Sequence, residues 1–132
     1  MEYQINFQLH ELKLLADFPF GQLEIAGDEN LGFRPFQLFA ASISGCSGLV
    51  LRKILEKQRQ NVKDIRIQTR IVRRDGDVHQ IEKIHLHFLI VGEDLDENKV
   101  RKAVELDHKH CSMVQSIVNS IEVTESFEII AE

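Results

Sequence analysis

The longest uncharged run in the chain, Pro35 to Leu51, spans 17 residues and limits the fold more than any other feature. Proline is tolerated at the first position of a helix, where its missing N–H leaves no bond unmade. The run therefore predicts a long helix over about 35–58 that opens on Pro35. Phe36, Leu38, Phe39, Ala40, Ala41, Ile43, Leu49, Val50 and Leu51 cover most of its first half. A helix that is apolar all round is expected to be buried. Gln37, Ser42, Ser44 and Ser47 interrupt the run, and it is slightly short for a membrane span. From Arg52 to Gln60 charge returns on one side, which must reach water. Ala41, Gly45 and Gly48 fall at i, i+4 and i+7, so one side has almost no bulk and another backbone is expected to approach it. Each glycine costs about 1 kcal/mol of helix propensity, so packing or a site should compensate.

The other elements follow from periodicity. Tyr3, Ile5, Phe7 and Leu9 alternate with polar residues, as in a half-buried strand. Residues 12–15 and 22–26 read as two further strands of a meander, and Gly27 to Gly32 as a loop. After the helix, Ile65, Ile67, Thr69 and Ile71 share one face. Asp75-Gly76 is a hairpin turn signal. Ile84, Leu86, Phe88 and Ile90 share a face on the return strand, with Arg66, Arg70, His85 and His87 opposite. Asp96 is expected to cap a helix over 97–109, which carries Glu97–Arg101 and Arg101–Glu105 at i, i+4. A break at His108 to Cys111 precedes a third helix, 111–120, with Met113, Val114, Ile117 and Val118 on its apolar face. The last strand, Ile121 to Ala131, aligns Ile121, Val123, Phe127 and Ile129. The order β-β-β-α-β-β-α-α-β predicts an α+β fold with a mostly antiparallel sheet. A length of 132 residues predicts a single domain, 1–132.

Composition narrows the function. A net charge of −5 argues against a nucleic-acid or anionic-membrane role, because both need a basic surface. With no Trp and one Tyr, a base-stacking platform is not expected. Two cysteines are too few for a disulfide scaffold, and the acidic, polar N-terminus does not read as a secretory leader. The expected compartment is a reducing cytoplasm. His85-x-His87 and His108-x-His110 lack a metal-site spacing, so no metal is expected. Neither a phosphate-binding glycine pattern nor Gly-x-Ser-x-Gly is present.

Cys46 lies midway along the long helix, in Ser44-Gly45-Cys46-Ser47-Gly48, where small neighbours clear space around its sulfur. Cys111 opens the third helix, where free N–H groups favour a thiolate. His108, Lys109 and His110 add positive or proton-accepting character. The two cysteines read either as a reactive pair or as buried small hydrophobes.

The segment Arg34-Pro35-Phe36-Gln37-Leu38-Phe39-Ala40-Ala41-Ser42-Ile43-Ser44-Gly45-Cys46 resembles the helix-opening motif of the OsmC/Ohr family, the osmotically inducible protein C and organic hydroperoxide resistance proteins. His110-Cys111-Ser112-Met113-Val114 resembles that family's second cysteine motif, and the spacing and element order agree. The resemblance implies an intertwined homodimer in which antiparallel sheets wrap two long central helices, with active sites at the dimer interface. It implies thiol-dependent reduction of hydroperoxides, with Cys46 peroxidatic and Cys111 condensing with it, an external dithiol as reductant, and no metal, haem or flavin. Arg34, Phe36, Gln37 and Phe39 are the expected substrate-pocket residues. The chain departs from the peroxidase pattern at two charges: no Arg precedes Arg34, and Phe36 stands where the family has Glu. It therefore looks closer to the divergent branch lacking that pair. The alternative is a non-catalytic dimer holding a small apolar ligand in the same interface pocket.

Overall fold

The structure is a computed structural model that describes residues 1–132. The chain divides into two compact units, Met1–Ala41 and Ser42–Glu132. The elements are β1 (Gln8–His10), β2 (Lys13–Asp17), β3 (Gln22–Ile25), α1 (Pro35–Lys57), β4 (Val62–Arg73), β5 (Ile81–Gly92), α2 (Glu97–His110), α3 (Ser112–Gln115) and β6 (Glu122–Ile130). This is the expected α+β order.

In the first unit, β1, β2 and β3 form an antiparallel meander. Phe18 and Gly21 close the β2–β3 turn by exchanging two backbone hydrogen bonds of 3.0 Å. The strand expected from Tyr3 onward is confined to Gln8–His10, and Tyr3, Ile5, Phe7 and Leu9 are all exposed. Alternation says which face a strand buries; it does not supply the second backbone that a ladder requires. At the start of α1, the Arg34 carbonyl accepts the first helical bonds, from the N–H groups of Gln37 and Leu38. The Gln37 side chain reaches back to accept from the Arg34 N–H at 3.0 Å, which is half of a capping box. Pro35 occupies the first helical position, as its chemistry predicts.

In the second unit, β5 lies between β4 and β6. The β4–β5 hairpin is antiparallel, and Gly76 in its loop takes φ 124°, a conformation that glycine adopts without steric cost. β6 runs parallel to β5, from Lys83↔Glu122 to Val91↔Ile130, so α2 and α3 form a crossover. Ile84, Leu86, Phe88 and Ile90 of β5 are buried, as their shared face predicts.

Burial of α1 all round is not observed. Ile43, Ser47, Leu51 and Leu55, spaced by four, are its buried residues, while Leu49 is 68% exposed. A helix seated against one sheet and one neighbouring helix covers a single stripe. Leu49 stands outside that stripe. Gly48 lies against β4, where a methyl would come within 2.8 Å of the Ile67 Cδ1, and Ser44 shares a 2.6 Å hydrogen bond with Thr69. The approach is made by side chains rather than by backbone, and at Gly45 nothing in this chain approaches. By length and composition alone, α1 could cross a membrane.

Asp96 caps α2, its carboxylate accepting from the N–H groups of Asn98 and Lys99 at 2.9 and 3.2 Å. The break expected at His108–Cys111 falls at Cys111, an extended residue that ends α2 and opens α3. The third helix is shorter than the expected 111–120. After Gln115 the chain tightens into turns, the Ile117 N–H bonding the Val114 carbonyl at 3.0 Å. The Ser116 hydroxyl donates to the Ser112 carbonyl at 2.7 Å, which favours a bend over continued helix.

Gly92 ends β5 opposite Val62, and a Cβ there would lie 2.3 Å from the Asn61 carbonyl oxygen. Backbone cannot rotate away as a side chain does. Gly92→Ala is therefore expected to cost about 1–3 kcal/mol, the range for overpacking, measured as a lower urea midpoint. An unchanged midpoint would show that the two backbones can separate freely.

Candidate functional site: a pair of unlike thiols

The second unit brings Cys46 and Cys111 together, although 64 intervening residues separate them in the chain. α1 presents Cys46 beside its buried stripe, and the α2–α3 junction carries Cys111. Both thiols are free. Cys46 is half-buried and Cys111 is fully buried.

Their environments are opposite. Burial alone would push the Cys46 thiol up. The Met113 N–H, the Cys111 S–H, and the hydroxyl and N–H of Ser112 all donate toward its sulfur, and the net shift is downward. The Ser112 Oγ lies 3.8 Å from the Cys46 Sγ. Cys111 is pushed up to about 11, chiefly by burial; the Val114 N–H opposes this, and its hydrogen bond to Cys46 and the nearby negative charges add to it. The expectation that the helix start favours a thiolate at Cys111 is thus reversed. The N–H groups of Ser112 and Met113 point at the cysteine of the other helix, while Cys111 keeps its proton and donates it to Cys46.

Two further residues join the site that sequence reasoning passed over. The hydroxyl of Ser47, beside Cys46, donates to the Oδ2 of Asp107 on α2, and both residues are buried. The Asp107 carboxyl is pushed up to about 6, first by burial, with the Ser47 hydrogen bond opposing and the Glu125 charge adding to it. A readable signal was present: Val100, Ala103, Val104, Asp107 and Cys111 share one helical face, and a carboxylate in such a row needs a reason. Glu125 carries the same signal. It stands between Val123 and Phe127 on the row of β6 that pairs with the buried face of β5. His108 does not serve Cys111 as expected, because its Nδ1 is 2.8 and 3.0 Å from the two Glu125 oxygens.

Arg34, Phe36, Gln37 and Phe39 belong to the first unit. The Arg34 guanidinium stacks 4.9 Å from the Phe36 ring centroid, and the Gln37 amide is committed to its cap. Lys109 and His110 are exposed. On β5, His85 meets the hydroxyls of Thr124 and Ser126 at 2.6 and 2.8 Å, and His87 meets that of Ser126 at 2.6 Å. No three metal-ligating side chains converge anywhere in the structure.

An α+β scaffold that sets a depressed, reachable thiol against a raised, buried one is the framework of a dithiol protein. The chain belongs to the OsmC family: its residues 27–126 match the family described as OsmC-like protein. It is 31% identical over 112 residues to Protein YhfA of Escherichia coli strain K12, covering 82% of this chain and 84% of that protein. The crystal structure of a hypothetical protein from Aquifex aeolicus VF5 superposes with a TM-score of 0.89 at 30% identity, covering 100% of this chain and 99% of that one. An organic hydroperoxide resistance protein OsmC from Legionella pneumophila shares the fold, with a TM-score of 0.72 at 20% identity, covering 96% and 97%.

Proposed function

We propose that this protein is a cytoplasmic, homodimeric thiol peroxidase that reduces hydroperoxides through Cys46 and Cys111. The observation that carries this reading is the pairing of a lowered, half-buried Cys46 thiol with a Cys111 S–H that donates to it. The Cys46 thiolate attacks the peroxide oxygen, the O–O bond breaks, and the alcohol departs after taking up a proton. Cys46 becomes a sulfenic acid. The Cys111 sulfur then displaces hydroxide from it, giving a disulfide and water, and an external dithiol restores both thiols. The name of the Legionella relative supports the substrate class.

This chain has no Arg before Arg34 and has Phe36 in place of the family's Glu, so other groups must hold the thiolate. Neutral donors from Ser112 and Met113 take that part. N–H groups aimed at a sulfur favour its charged form, as a cationic neighbour does. The exposed apolar residues Leu49, Tyr3, Phe7 and Phe20 support a homodimer that covers them, with α1 inside the assembly rather than in a bilayer.

Mixing the reduced protein with one equivalent of cumene hydroperoxide tests the reading. Both free thiols are expected to disappear as an intramolecular disulfide forms, with the loss of two hydrogens per chain by intact mass. If both thiols remain titratable after peroxide treatment, the peroxidase reading fails and the non-catalytic dimer with a small apolar ligand takes its place.

A further inference from the structure

We propose that Asp107 accepts the proton that Cys111 gives up as it closes the disulfide. The inference rests on the reading of Cys46 and Cys111 as the redox pair. Cys111 is fully buried, so no water meets its sulfur directly. Asp107 stands one helical turn before it on the same buried face of α2, where side chains at i and i+4 are neighbours. The Cys111 N–H donates to the Asp107 backbone carbonyl at 2.8 Å, which keeps that turn helical. Asp107 is itself fully buried, and its negative charge acts on the Cys111 thiol.

The two carboxylate oxygens differ. Oδ2 accepts from Ser47, while Oδ1 is buried with no hydrogen-bond donor. A buried carboxylate with an unused acceptor is costly and needs an explanation. A proton acceptor for the adjacent thiol supplies one. Asp107 also faces Glu125 of β6 and His108 of α2, which bear on its charge in opposite directions. With a carboxyl near pH 6, Asp107 is mostly ionised at neutral pH yet able to take a proton transiently.

The step balances. The Cys111 sulfur attacks the sulfenic sulfur of Cys46 and the S–O bond breaks. The Cys111 proton passes to Asp107, then to the departing hydroxide, and water leaves. Cys111 is oxidised, and the sulfenic sulfur is reduced to the disulfide level.

The test separates closure from peroxide chemistry. Reduced protein treated with one equivalent of 5,5′-dithiobis(2-nitrobenzoate) forms a mixed disulfide at Cys46. Attack by Cys111 then releases a second nitrothiobenzoate, seen as a slow absorbance phase. In the unaltered protein that phase is expected to accelerate as pH rises through about 6. Asp107→Asn is expected to slow it by at least about tenfold, within reach of general-base effects, and to abolish the inflection. Ser47→Ala removes a hydrogen bond that favours the carboxylate, so the inflection should move to higher pH. A purely structural pair would not move a pH profile in this way. The same rate and profile in Asp107→Asn as in the unaltered protein would overturn the proposal, and so would an inflection left in place by Ser47→Ala if Asp107→Asn does not fold. Slow closure with the inflection lost in Asp107→Asn upholds the Asp107 proposal even if hydroperoxide leaves both thiols intact, a result that would overturn only the peroxidase reading.

Discussion

Cys46→Ser is expected to lower hydroperoxide consumption by roughly 10³-fold or more, the scale on which loss of a nucleophile acts. A serine hydroxyl stays un-ionised at neutral pH, so the donors of Ser112 and Met113 would have no anion to stabilise. Cys111→Ser should behave differently. It leaves Cys46 and its backbone donors in place, so the first turnover proceeds and stops at a sulfenic acid that dimedone traps. Multiple turnover then fails because nothing closes the disulfide. Alkylation supplies the matching pH dependence. The Cys46 rate should inflect below the range of an ordinary thiol, and the Cys111 rate only near pH 11. Peroxide consumption by Cys46→Ser at the unaltered rate would remove Cys46 from the chemistry.

Phe88→Ala is expected to destabilise the fold by about 3–5 kcal/mol, the range for emptying a large aromatic from a packed core. Phe88 is fully buried at the middle of β5, paired in register with Ile67 on β4 and Phe127 on β6. Its loss leaves a hole that three strands border, and none can close it without leaving register. Equilibrium urea unfolding at fixed protein concentration measures the effect. A loss under about 1 kcal/mol would mean that the neighbouring strands close the hole after all.

The order of elements and the two cysteines were legible because both are local. Pro35 opens α1, Asp96 caps α2, and Ile84 to Ile90 alternate, each for a reason confined to a few neighbours. What escaped was long-range. The parallel pairing of β5 with β6 depends on how the crossover returns, and period-two patterns do not encode direction. The N-terminal alternation from Tyr3 to Phe7 marks a face without supplying a neighbour. Ser47, Asp107 and Glu125 look ordinary one at a time. Their connection appears when α1, α2 and β6 bring Ser47 and Glu125 to bear on Asp107. Each breaks an apolar row, and that interruption was the available sign.

The unequal depth of the two sulfurs has a consequence for how an oxidised molecule is recovered. A reducing thiolate arriving from solution can touch Cys46 but not Cys111, so Cys111 must be the sulfur expelled. A thiol whose burial disfavours its thiolate is a poor leaving group. In the proposed peroxidase cycle, the burial that keeps Cys111 quiet while Cys46 meets peroxide therefore also slows rearming. In the proposed cycle, recovery would then respond more steeply to the concentration of the reducing thiol than to that of peroxide.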